Sequence, residues 1–183
     1  QIRIVSNTVL SPSTNRVVEE FITQYPTTKH IVYDTDSAEG MLAANEQSFG
    51  VRMIPSYDFS KADVIVGFGA DFLGTWIAPI QYANQYTQTR KITDTKKTMS
   101  RHYQFEGNLS LTGANADYRT PLKPSDEAKA VVALYSALNG KKSDIPNMNK
   151  AAADLKKAAG KSLVVSGSND PAVQVVINAI NNK

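Results

Sequence analysis

Two carboxylates, Asp71 and Glu106, sit beside glycines and hydroxyl-bearing residues in patterns that could cradle a polar ligand. Asp71 follows Gly67, Gly69 and Ala70 in the run Asp63-Val-Ile-Val-Gly-Phe-Gly-Ala-Asp-Phe-Leu-Gly-Thr-Trp76. Glu106 precedes Ser110 and Thr112 in Glu106-Gly-Asn-Leu-Ser-Leu-Thr-Gly-Ala-Asn-Ala-Asp117. Glycine lets backbone approach a ligand closely. The chemistry on offer is binding: no residue is assigned as a catalytic acid, base or nucleophile. The first run reads as a buried strand, a glycine-relaxed turn and a helix, the arrangement by which an open α/β sheet builds a crevice at the carboxyl ends of its strands.

Other chemistries find less support. A dinucleotide fingerprint needs a glycine where Phe72 stands, and Gly74 comes two residues late. His30 and His102 are the only imidazoles; two isolated histidines do not make a metal site, and although a carboxylate such as Asp34 or Asp58 could complete one in space, the ligand spacing leads to no metal being expected. Asp34, Asp36 and Ser37 follow a predicted strand, where polar function concentrates, but helix capping by Asp36 or Ser37 explains them equally well. Tyr82 and Tyr86, four apart, read as one packed helix face. The chain has no cysteine, which excludes disulfides, thiolate-held zinc, iron–sulfur clusters and thiol nucleophiles within this segment. The basic residues Arg90, Lys91, Lys96, Lys97 and Arg101 lack interleaved aromatics and read as a solvated loop, so no nucleic-acid partner is expected at a net charge of +3.

The elements that must position these residues alternate between strand and helix. With 183 residues, 42% hydrophobic and 20% charged, the chain can bury a normal core. Strands are predicted at residues 2–6, 29–33, 64–66, 103–105, 118–122 and 162–165. Helices are predicted at 15–24, capped by Ser13 or Thr14 after turn chemistry over 7–12, and at 37–48, ended by Gly50. Further helices follow Gly74 up to about 88, follow Pro124, span 149–159, and start at Pro171. The helix after Gly74 is expected to carry Trp76, Ile77, Ile80 and Tyr82, and the one after Pro124 is apolar at Ala128, Val131, Val132, Leu134 and Leu138. This predicts a three-layer α/β fold, a mainly parallel open sheet with helices on both faces. The stretch 140–148 is the most linker-like within a single domain over 1–183. Because the chain opens on Gln1, it reads as a fragment of a larger multidomain protein. No apolar run approaches the ~20 residues that cross a bilayer, so no direct membrane insertion is expected.

The two runs together resemble the molybdopterin oxidoreductase superfamily, typified by dimethyl sulfoxide reductase and formate dehydrogenase. Gly69-Ala-Asp71 stands at that family's Gly-x-Asn-Pro turn. Glu106 to Asp117 stands at its Asp-Pro-Arg-x-Thr-x-Thr-Ala-x-x-Ala-Asp motif, where Ser110, Thr112, Ala116 and Asp117 fit, and Pro124-Ser-Asp126 at its Pro-Gly-Thr-Asp. The amide of the first motif and the arginine of the second are replaced, and the metal ligand, which would fall near Asp34 to Ser37, finds no thiolate. These departures, with Leu111-Thr-Gly-Ala-Asn-Ala-Asp-Tyr-Arg119, resemble the iron–sulfur subunit of bacterial alternative complex III, a quinol-oxidising membrane assembly. The resemblance implies a structural domain of a respiratory iron–sulfur subunit at the periplasmic face of the inner membrane, partnered by other domains and subunits. It also implies iron–sulfur clusters elsewhere in the parent and no cofactor in this segment, with Gly67, Gly69, Ala70, Asp71, Glu106, Ser110 and Thr112 as vestigial pterin positions. Two alternatives stand beside it: an active bis-pterin enzyme in which those residues still hold molybdopterin guanine dinucleotide, and an unrelated small-molecule-binding α/β domain.

Overall fold

The computed structural model describes residues 1–9 and 11–183; Leu10, inside the turn expected over 7–12, lies outside the described residues. The chain forms two compact units, Gln1–Ser37 and Ala38–Lys183. In the first, strands β1 (Arg3–Ser6) and β2 (Lys29–Val32) pair in parallel, with Arg3 opposite Lys29. Helix α1 (Pro12–Gln24) joins them. It begins three residues before the expected start because Ser11 is the cap: its side chain accepts the N–H of Thr14, and Pro12 takes the first turn, where its missing N–H costs nothing.

The second unit holds a four-stranded parallel sheet in the order β5-β4-β3-β6. Its strands are β3 (Val64–Phe68), β4 (Arg101–Glu106), β5 (Tyr118–Pro121) and β6 (Ser162–Ser166). Every residue of β3 is buried, as its unbroken apolar run requires of a central parallel strand. One face of the sheet, with Val66, Phe68, Tyr103, Phe105 and Val164, packs under α5 (Glu127–Leu138), α6 (Met148–Lys157) and α7 (Pro171–Asn181). The other face, with Ile65 and Val165, packs against Phe59, Phe72 and the tyrosines Tyr82 and Tyr86 of α3 (Pro79–Arg90). Helix α2 (Glu39–Phe49) lies against α7 and ends at Gly50 in the left-handed conformation, as expected. The result is the expected Rossmann-like, three-layer α/β architecture with parallel strands.

Several local readings are corrected. The helix after Gly74 starts only at Pro79: Asp71 to Trp76 form a turn held by the Asp71 carbonyl, and Ile77 takes a left-handed φ of 56°. Ile80 therefore projects to solvent instead of joining the apolar face. Val132 is likewise exposed on α5. Helix α2 has Ala38 at its N-cap, a residue that makes no side-chain capping bond. The linker-like stretch joins α5 to α6 inside the unit and is anchored by the amides of Asn149, which clasps Ser143 through both N–H and C=O, and of Asn147, which donates to Thr120 Oγ1 at 3.0 Å. The short helix α4 (Leu111–Ala114) was not foreseen.

Candidate functional site

The chain runs from β3 outward to β4 and β5, then returns to place β6 on the other side of β3. The carboxyl ends of these strands are where such a sheet binds ligands. Gly69 ends β3 with φ of 59°, a backbone that side-chain-bearing residues rarely adopt. A Cβ there would also lie 2.9 Å from the carboxylate of Glu127, the first residue of α5. Gly67 is required for a different reason: a Cβ would meet Gln104 Oε1 at 2.1 Å. Both glycines permit close approach, and in each case the approaching group belongs to this chain.

Asp71 and Glu106, the two carboxylates of the predicted cradle, are likewise engaged from within. Asp71 Oδ1 accepts the Thr112 N–H at 3.0 Å and its hydroxyl at 2.7 Å, while Thr112 Oγ1 accepts the Leu73 N–H at 2.9 Å. These bonds tie the turn after β3 to α4. Ser110 caps α4 by accepting the Gly113 N–H at 2.9 Å and donates its hydroxyl to Glu106 Oε2 at 2.6 Å. Glu106, only 3% exposed, also accepts from the Ser110 N–H at 3.2 Å, Arg119 Nε at 2.6 Å and Gln104 Nε2 at 3.4 Å. Burial raises its pKa, but the bonds from Ser110 and Arg119 outweigh that and hold it below the usual carboxylate range. Ala70 is buried and its carbonyl accepts from Gln104 Nε2 at 3.3 Å.

The network continues along one face of β4. His102, Gln104 and Glu106 alternate with Tyr103 and Phe105, so all three polar side chains share a face. His102 Nε2 lies 3.3 Å from Gln104 Oε1, and His102 Nδ1 lies 3.1 Å from the Tyr86 hydroxyl. With the Gln104 amide nitrogen bonded to Ala70 and Glu106, its oxygen accepts and places the ring proton on Nε2, while the single proton of the Tyr86 hydroxyl is shared between the Asn115 carbonyl, 3.1 Å away, and His102 Nδ1. Burial holds the His102 pKa down to about 4, so the ring is neutral. At the rim, Arg90 grips Asp117 through two bonds of 2.8 Å, and Asp117 also accepts the His102 N–H.

The structure thus brings the predicted residues Gly67, Gly69, Ala70, Asp71, Glu106, Ser110 and Thr112 into one region and fills that region with its own side chains. Sequence reasoning missed Gln104, Arg119, Glu127 and Ser166. Glu127 is the least engaged of the crevice carboxylates: Ser166 Oγ stands 3.5 Å away, no cation among the described residues is paired with it, and burial raises its pKa. Among the described residues no group of three or more His, Cys, Asp or Glu is placed to hold a metal. His30 is bonded to Ser6 Oγ at 2.8 Å, Asp34 to Thr8, and Asp58 caps a short turn at Ser60.

No protein-family model and no curated protein matches the chain. Among solved structures, the fold resembles a chain of the formyltransferase/hydrolase complex FhcABCD from Methylorubrum extorquens, determined in complex with methylofuran. The TM-score is 0.57 at 13% identity, over 98% of this chain and 48% of that one; this chain spans about half the length of its structural relative. At this identity the likeness shows the fold alone. It overturns the sequence resemblance: the chain is not placed with the molybdopterin oxidoreductases, with alternative complex III or with a respiratory iron–sulfur subunit. The physical reason is that the quoted motifs encode features any such sheet needs. Gly69-Ala-Asp71 builds a strand–helix turn, and Ser110 and Thr112 cap a short helix and brace that turn.

Proposed function

We propose that this chain is an assembly domain of a multi-subunit formyltransferase/hydrolase-type enzyme, supplying structure and contact surface while partner subunits supply the reacting groups. The observation that carries this reading is the filled crevice: where an α/β sheet of this order would hold a ligand, Gln104, Glu106, Asp71 and Thr112 are bonded to one another and to the backbone. A site built to receive a polar ligand keeps such groups unpaired or solvated until the ligand arrives, because displacing internal hydrogen bonds costs affinity.

Two further observations support it. The structural relative is part of a complex, and no helix among the described residues is long and apolar enough to cross a membrane, so the partners in this reading are protein subunits. In Gln1–Ser37, the side chains of Val5, Ile31, Val32 and Tyr33 are 44–73% exposed on a sheet of only two strands. Parallel sheets ordinarily have both faces covered, and contiguous exposed apolar surface marks contact sites. Affinity purification of the tagged full-length protein from its native cells tests the reading. Stoichiometric partner subunits are expected, with formyl transfer or hydrolysis in the complex and none in the isolated protein. A lone monomer active by itself would refute it.

A further inference from the structure

The second unit carries a cavity far from the crevice just described, beside the edge strand β6. It has a volume of about 510 Å³, inside the range of small-molecule sites. Phe49 and Met53 stand at it 59% and 58% exposed, and Tyr57 and Leu163 continue the apolar wall. Along one side stand amides from the end of α7. Asn178 Nδ2 donates to Asn45 Oδ1 at 2.9 Å and Ser48 Oγ at 3.2 Å, which fixes the amide and leaves its Oδ1 as an acceptor; Asn182 adds a donor and an acceptor. None of the described residues that line it is charged.

We infer that this cavity is a binding site for a neutral, amphipathic small molecule with an aromatic or aliphatic body and a carboxamide-like polar end. The lining selects that class. A charged ligand would be desolvated with no counter-charge to meet it, whereas an amide N–H finds the Asn178 acceptor and an apolar body covers Phe49 and Met53. A polypeptide strand is disfavoured because β6 is closed to it. Asn181 donates to the Val164 carbonyl at 2.8 Å and accepts the Val164 N–H at 2.9 Å, and Gln174 donates to the Ser166 carbonyl at 2.9 Å. Strand addition needs those backbone groups free.

The test is fluorescence titration of the full-length protein with 2-naphthamide and with 2-naphthoate, two probes of nearly the same shape that differ in charge. Saturable binding of the amide is expected, at least tenfold tighter than the carboxylate. Met53→Asp and, separately, Val51→Glu should each weaken the amide at least tenfold, while Leu109→Asp, on an exposed loop, should not. The mutated positions are exposed, so folding survives, and far-ultraviolet circular dichroism verifies it. Absent or non-saturable amide binding, equal binding of the two probes, or indifference to both cavity substitutions would overturn the inference. So would exclusion of the amide from the purified complex when the isolated protein binds it, which would make the groove a subunit contact.

Discussion

Glu106 accepts four hydrogen bonds from three side chains and one backbone N–H, with Arg119 as its cation. Replacing it by Gln removes the charge and leaves the guanidinium beside a neutral group. Glu106→Gln should cost about 2–4 kcal/mol in urea unfolding, because breaking a buried pair strands the other partner. His102 gives a pH signature. Its folded pKa of about 4 lies below its ordinary 6.5, so the unfolded chain takes up the proton first and stability falls as pH drops through that window. The loss reaches on the order of 3 kcal/mol by pH 4; His102→Gln should flatten that limb of a urea-midpoint profile. Glu127 has the opposite sign. Its raised pKa means the folded state resists ionisation, so stability is lost as pH rises through the folded value, and Glu127→Gln should raise the urea midpoint at pH 7. The positions of the site residues were legible, since glycines after an apolar run and hydroxyls after Glu106 mark a turn and a cap. Their partners were not. Gln104 and Arg119 meet Glu106 only once the strands are paired, and no local spacing announces that.

Among the elements, α5 carries apolar residues both in the core and on the surface. Leu134 is fully buried, while Val132 on the same helix is 52% exposed. Leu134→Ala should therefore cost about 2–5 kcal/mol and Val132→Ala less than about 0.5, as read from denaturation midpoints. Most elements were legible because their punctuation is chemical: Pro171 after the Asp170 cap, Gly50 after α2, and the unbroken Val64 to Phe68 run. The failures have equally local causes. Pro79 moves the start of α3 past Trp76 and Ile77, and α4, at four residues, is too short to show a periodicity.

At the scale of the whole molecule, the two units differ in how much they bury. In Gln1–Ser37 only Thr28 is buried among the described residues, whereas Ala38–Lys183 contains two extended apolar clusters. Hydrogen exchange of the isolated protein should therefore release the amides of β1 and β2 well before those of β3 and β4, and assembly with partners should slow the first set selectively. Equal protection in the isolated protein would contradict this. The alternation along β4 has one more consequence, for how the chain finds its fold. With period two, a slip of one residue against β3 would drive His102, Gln104 and Glu106 into the apolar cluster now filled by Tyr103 and Phe105, and would turn those rings toward Ala70 and Arg119. Three stranded polar groups make the mis-threaded sheet far costlier than a slipped apolar strand would be. The stripe that lines the crevice thus also pins the register of the central strands, since every one-residue misalignment leaves its polar groups without partners.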